Sequence, residues 1–159
     1  MGVGEGLSLE RVMATTHPAV GLEYRLGKLQ AARRRLPLLA GVVADAGMLP
    51  VRDGVFDTVT CLEVLEHLDP VQPAIDELAR VTRGRCIVSV PFEPWFRLGN
   101  LARGKNAARV GNDPEHVQQF TARRLSAELG RCFGEVTTRV VFPWIVAVAR
   151  SSTPTIQPS

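Results

Sequence analysis

The chain has 159 residues, of which 45% are hydrophobic and 22% charged, with a formal net charge of +3. Such a composition describes one ordinary globular domain, large enough to bury roughly 68–70% of the surface its unfolded chain exposes. No apolar run reaches the ~18 residues of a membrane span, no secretory leader precedes the first motif, and the three cysteines form no C-x-x-C pair; a cytoplasmic protein with reduced thiols is expected.

The chain opens on Gly2-Val3-Gly4-Glu5-Gly6. A G-x-G-x-G turn normally joins a buried strand to a helix, where glycines let backbone N–H groups close on a ligand beside a helix N-terminus. Only Met1 stands ahead of it, so the delivering strand is missing and an N-terminally truncated chain is expected. Helical spacing follows over 7–16, stopped by His17-Pro18. A buried strand over 19–22 ends on Glu23. A helix is predicted over 25–36, with Leu26, Leu29 and Ala32 inward, and Arg33-Arg34-Arg35 at its end, where cations suit the dipole. That placement makes the arginines a solvated helix end, and nucleic acid is not an expected partner.

Another apolar strand, 38–44, ends on Asp45, and 46–54 reads as a Gly/Pro/Asp loop. A strand over 55–60 precedes a short helix over 62–68. Asp69 is then the expected cap of a helix to about 82, with Gln72 as capping-box partner. Residues 86–90 form the next strand, closed by Pro91. Alternating helices and continuous apolar strands predict an α/β fold, a mostly parallel sheet covered on both faces. The rhythm breaks over 92–120, an expected substrate-side insertion or lid. It resumes with a helix from Thr121 (its N-cap) to about Cys132 and two strands, near 135–142 and 144–149, with Pro143-Trp144 as core. Residues 1–150 read as one domain and 151–159 as a disordered tail.

Ligands of open parallel sheets bind beyond the carboxyl ends of the strands. Three successive strand ends here carry the glycine loop, then Glu23, then Asp45. One acid suits ribose hydroxyls and the other an exocyclic amine, which together outline an adenosine-shaped site. A nicotinamide-dependent oxidoreductase is the competing enzyme reading, but the loop lacks G-x-G-x-x-G spacing.

Taken in order, Gly2-Val3-Gly4-Glu5-Gly6, Gly21-Leu22-Glu23, Ala44-Asp45-Ala46-Gly47-Met48-Leu49-Pro50, Phe56-Asp57-Thr58-Val59 and Glu63-Val64-Leu65-Glu66-His67-Leu68 resemble class I S-adenosylmethionine-dependent methyltransferases, in particular the quinone-biosynthesis group. The resemblance implies a Rossmann-like sheet with a C-terminal antiparallel strand, here without its first strand. It implies that Gly2, Gly4 and Gly6 face the methionine part of S-adenosylmethionine, Glu23 the ribose, Tyr24 the adenine face, and Asp45 with Ala46 the adenine edge. Cys61 and Leu62 would close over the sulfonium. The family's acid two residues before the first glycine has no counterpart here.

Glu63, Glu66 and His67 stand at i, i+3 and i+4 and would share one face of a helix beside the transferred methyl group. His67, as an imidazole, is the expected general base, with Glu63 orienting the acceptor. With His116 the same residues form a candidate site for Mg²⁺, Mn²⁺ or Zn²⁺, resembling the metal sites of some O-methyltransferases. Bracing of the helix is the structural alternative. Phe92, Trp95, Phe96 and Phe120, interleaved with Arg97, Arg103, Lys105 and Arg109, suit a lid, an acceptor pocket, or a peripheral membrane contact through 92–110. The expected function is methyl transfer to a small-molecule acceptor, oxygen ahead of carbon or nitrogen; the alternative from another class is an inactive truncated cofactor-binding module.

Overall fold

The computed structural model describes residues 1–7, 10, 19–92 and 117–152. Its elements are β1 (Ala19–Glu23), α1 (Leu26–Arg35), β2 (Leu39–Val43), β3 (Phe56–Leu62), a one-turn 3-10 helix (Leu65–His67), α2 (Gln72–Val81), β4 (Thr82–Pro91), α3 (Ala122–Leu129), β5 (Glu135–Val141) and β6 (Trp144–Arg150). The predicted helix over 7–16 falls largely outside the described residues, as do most of 92–120, including Trp95, Phe96, Arg97, Arg103, Lys105, Arg109 and His116, and most of the tail.

Two sheets form among the described residues. β1 and β2 pair in parallel, Ala19 opposite Leu39 through Glu23 opposite Val43. The other sheet has the order β3-β4-β6-β5, with β3 and β4 parallel and β6 antiparallel to both neighbours. Residues 1–3 cross between the two sheets: the Met1 amino group donates to the Thr60 carbonyl of β3, and Gly2 N–H donates to the Leu22 carbonyl of β1 at 2.8 Å. The architecture is the expected α/β one, with a single antiparallel strand, β6, near its C-terminal end.

The larger sheet is packed by helices whose apolar stripes follow from spacing. α2 buries Ala74, Ile75, Leu78 and Val81, and α3 buries Leu125 and Leu129. β4 is buried on both faces through Cys86, Val88, Ser89, Val90 and Pro91, as its continuous apolar run requires. Thr121 is the N-cap of α3, its hydroxyl accepting from Arg124 N–H at 3.1 Å.

Four local expectations change. Leu26 lies on the exposed side of α1, which buries only Leu29 and Ala32. Asp69 makes no cap: the helix starts two residues beyond Pro70, with Val71 as N-cap and no side-chain cap. β4 follows α2 without a loop, starting at Thr82 rather than at 86. Alternation along β6 turns Ile145, Ala147 and Ala149 inward, which leaves Trp144 40% exposed instead of in the core.

Candidate functional site

The carboxyl ends of β1, β2 and β3 enclose a cavity of about 490 Å³. Its floor is the start of the chain. Gly2 and Gly4 line it with φ of +67° and +55°, values that side chains resist. A Cβ on Gly2 would stand 2.1 Å from Val64 Cγ2, so the residue must be glycine for packing as well as for its backbone, whereas the space over Gly4 is open. Gly6, expected at the same site, is buried against α1, where its Cβ would come within 3.2 Å of Ala32 Cα; it packs the loop and does not wall the cavity.

Glu23, at the end of β1, is nearly buried and accepts from Gly4 N–H at 2.8 Å and Arg25 N–H at 3.1 Å, one bond to each oxygen. A carboxylate offers about four acceptor directions, so capacity remains for a diol in the cavity. Tyr24 beside it lies open at the rim. Asp45, beyond β2, takes Gly47 N–H on Oδ1 at 2.7 Å, a turn that points Asp45 and Ala46 at the same cavity. The predicted adenosine-side residues Glu23, Tyr24, Asp45 and Ala46 therefore come together.

The opposite wall is Glu63, Val64, His67 and Leu68. Cys61 and Leu62 are not in it. Cys61 points into the core, fully buried, and burial pushes its thiol pKa up to about 12, so it stays a thiol. The expected helix over 62–68 is also absent. Glu63 leaves β3 with φ +56°, and only Leu65–His67 turn, as a 3-10 helix. Three residues per turn separate neighbours by about 120°, so Glu66 and His67 diverge. His67 is exposed at the cavity lip. Glu63 reaches the cavity while its Oε1 accepts from Ser89 Oγ at 2.9 Å and its N–H donates to the Ser89 carbonyl at 3.1 Å.

Glu66 goes the other way. It is 2% exposed, and among the described residues neither carboxylate oxygen has a side-chain partner. Desolvation raises its pKa from 4.5 to about 8, with nearby Glu63 adding to the rise, so the carboxyl is held neutral at neutral pH. Its carbonyl accepts Val117 and Gln118 N–H, tying 117–118 to the turn. Phe120, expected near an acceptor, is 2% exposed in the core and carries Arg124 over its ring. No group of three or more His, Cys, Asp or Glu among the described residues is placed to hold a metal ion, and His116 lies outside them. The helix that would have gathered Glu63, Glu66 and His67 onto one face does not form, which removes the geometric basis for the metal site.

Ser89 carries no local signal: only the parallel register that sets Leu62 opposite Ser89 brings it to Glu63. The pair that braces the other wall, Glu77 with Arg80, meets Leu49 through the packing of α2 against the 45–54 loop, which spacing along the chain does not show.

A sequence family described as a methyltransferase domain matches residues 1–89. A demethylmenaquinone methyltransferase of Beutenbergia cavernae is 35% identical over 98 residues, covering 60% of this chain and 41% of that protein. A probable S-adenosylmethionine-dependent methyltransferase of Mycobacterium tuberculosis is 28% identical over 130 residues, covering 80% of this chain and 44% of its own. The chain thus spans about two-fifths of the length of the curated relatives it matches. Among solved structures, a Thermotoga maritima protein described as a possible histamine N-methyltransferase superposes with a TM-score of 0.71 at 19% identity, covering 96% of this chain and 80% of that one. The [4+2]-cyclase SpnF does so equally well, at 0.71 and 15%, covering 96% of this chain and 74% of its own. Likeness at that identity shows the fold alone.

Proposed function

The chain belongs to the methyltransferase-domain family, and from that premise we propose that its cavity binds S-adenosylmethionine and transfers the methyl group to a small aromatic acceptor. The observation that carries the reading is the convergence of Gly2, Gly4, Glu23 and Asp45 on one cavity at the carboxyl ends of the strands. Gly4 presents open space where a Cβ would otherwise stand, and the two acids lie at the ends of adjacent paired strands. That donor and acceptor set fits an adenosine with an amino-acid arm.

When bound, the sulfonium supplies an activated methyl carbon for in-line displacement. The chain's own residues hold the parts. Glu23 takes the ribose hydroxyls, Asp45 and Ala46 the adenine edge, and the Gly2–Gly4 backbone the methionine arm. Proximity and alignment supply much of the acceleration. At the other wall, Glu63 orients the acceptor hydroxyl, and His67 at the lip takes its proton as the new bond to carbon forms. No nucleophile of the chain is required.

Several relatives are named for demethylmenaquinone, which makes the quinol form of that compound the first acceptor to test. For simple phenols oxygen is the expected atom, on the strength of the Glu63 and His67 placement, whereas demethylmenaquinol lacks a ring methyl and would take it on carbon. The test is transfer of radiolabelled methyl from S-adenosylmethionine to reduced demethylmenaquinone and to simple phenols, with the product's methyl position read by mass spectrometry. Label on an aromatic product supports the reading. Tight cofactor binding with no transfer to any acceptor would instead identify a binding module, and a methyl group on a ring carbon of the phenols would replace the oxygen assignment.

A further inference from the structure

The loop from Asp45 to Gly54 carries the residues assigned above to the adenine edge, yet it has little ladder of its own: a single bridge joins Asp45 to Met48. It is held from outside by two side chains of α2. Glu77 Oε2 accepts Leu49 N–H at 2.6 Å, and Arg80 Nη2 donates to the Leu49 carbonyl at 3.0 Å, so both backbone groups of Leu49 end on one ion pair. Arg80 Nη1 donates to the Val51 carbonyl at 2.8 Å and to Asp53 at 2.6 Å, and its fork closes on Glu77 through Nε at 2.6 Å and Nη2 at 2.7 Å. Leu49 itself is buried in the core, and Met48 N–H returns to the Asp45 carbonyl at 3.1 Å.

We infer that Arg80 and Glu77 are positioning residues for adenine recognition, fixing the Asp45–Ala46 edge through Leu49 without touching the ligand. The inference rests on the cofactor reading above. An exposed ion pair alone contributes little. This guanidinium instead spends its donors on two backbone carbonyls and two carboxylates, a fork that lysine cannot reproduce. Pairing holds the Glu77 carboxyl below its usual range and the Arg80 guanidinium above its own, consistent with a persistently charged clamp.

The experiment compares calorimetric affinities for S-adenosylhomocysteine and S-inosylhomocysteine, whose base has a carbonyl in place of the exocyclic amine, in the unaltered chain, Arg80→Ala, Arg80→Lys and Glu77→Gln. Arg83→Ala, at an exposed pair with Asp57 within the opposite, amino ends of β4 and β3, is the control. The unaltered chain is expected to prefer adenine. Arg80→Ala is expected to lose about tenfold in affinity for S-adenosylhomocysteine and less for the inosine analogue, so the preference narrows. Arg80→Lys and Glu77→Gln narrow it less and carry the comparison should Arg80→Ala not fold. Equal loss for both ligands, or unchanged preference in folded variants, overturns the inference. Failure of the unaltered chain to bind S-adenosylhomocysteine overturns the cofactor reading before any variant is made.

Discussion

The two walls of the cavity are built in opposite ways. The loop over 45–54, assigned above to the adenine edge, is tied down by a charged fork from α2 and by a buried leucine, with both backbone groups of Leu49 and the Val51 carbonyl paired. The turn over 63–68, assigned above to the acceptor, carries costs: a non-glycine residue at positive φ and a buried carboxyl with no side-chain partner among the described residues. Unfavourable backbone and buried polar groups persist only where surrounding structure over-determines them, and they gather at functional sites. On the proposed reading, the first wall serves fixed recognition of the cofactor, and the second is the one assigned to the acceptor.

The contrast breaks most completely at the floor that both walls share. Gly2→Ala sets a Cβ 2.1 Å from Val64 of the acceptor wall, at φ +67°. Loss of cofactor affinity by at least about 100-fold is expected, read by calorimetry.

Glu66 gives the next largest effect, on stability. Its folded pKa, about 8, stands above the ordinary 4.5, so between those values the unfolded chain releases a proton that the folded chain retains. Stability from this group is fully present below pH 4.5, falls as pH rises, and levels off above 8, a loss of up to a few kcal/mol. Urea unfolding of the unaltered chain should weaken from pH 5 to pH 8.5, while Glu66→Gln should lack that component. A parallel pH dependence in both proteins would show that Glu66 ionises normally.

Ser89→Ala sharpens the acceptor wall alone. Removing the hydroxyl from Glu63 should cost about 1 kcal/mol in transition-state stabilisation, roughly a fivefold loss in kcat with cofactor affinity unchanged. Partial rescue by Ser89→Thr and a shifted pH–rate profile would separate positioning from packing. The smallest effect belongs to Arg83→Ala. Its bond to Asp57 is exposed and far from both walls, and no measurable change in melting temperature or affinity is expected.

The adenosine half of the site was legible because its signals are local. Glycine turns, an acid closing each of two apolar strands, and short loops follow from neighbouring residues and bring Gly2, Gly4, Glu23 and Asp45 to one cavity. The same is true of the Thr121 cap and of the β5–β6 hairpin. The acceptor half was not legible. Glu63-x-x-Glu66-His67 has helical spacing, but an αL residue at the strand exit leaves room for one 3-10 turn only, which sends Glu66 inward and His67 outward. Trp144 reads as core by type and lies outward by register. Arg80, Glu77 and Ser89 act across 26 to 31 residues, distances at which only tertiary packing decides who meets whom.

The central claim, that this cavity is a cofactor site, is tested most directly by calorimetric titration of the 159-residue chain with S-adenosylmethionine, with NAD as the control ligand. Micromolar, one-to-one binding of S-adenosylmethionine alone, abolished by Gly2→Ala, is the predicted result. A cooperatively folding chain that binds neither ligand, or that binds NAD instead, would contradict the account.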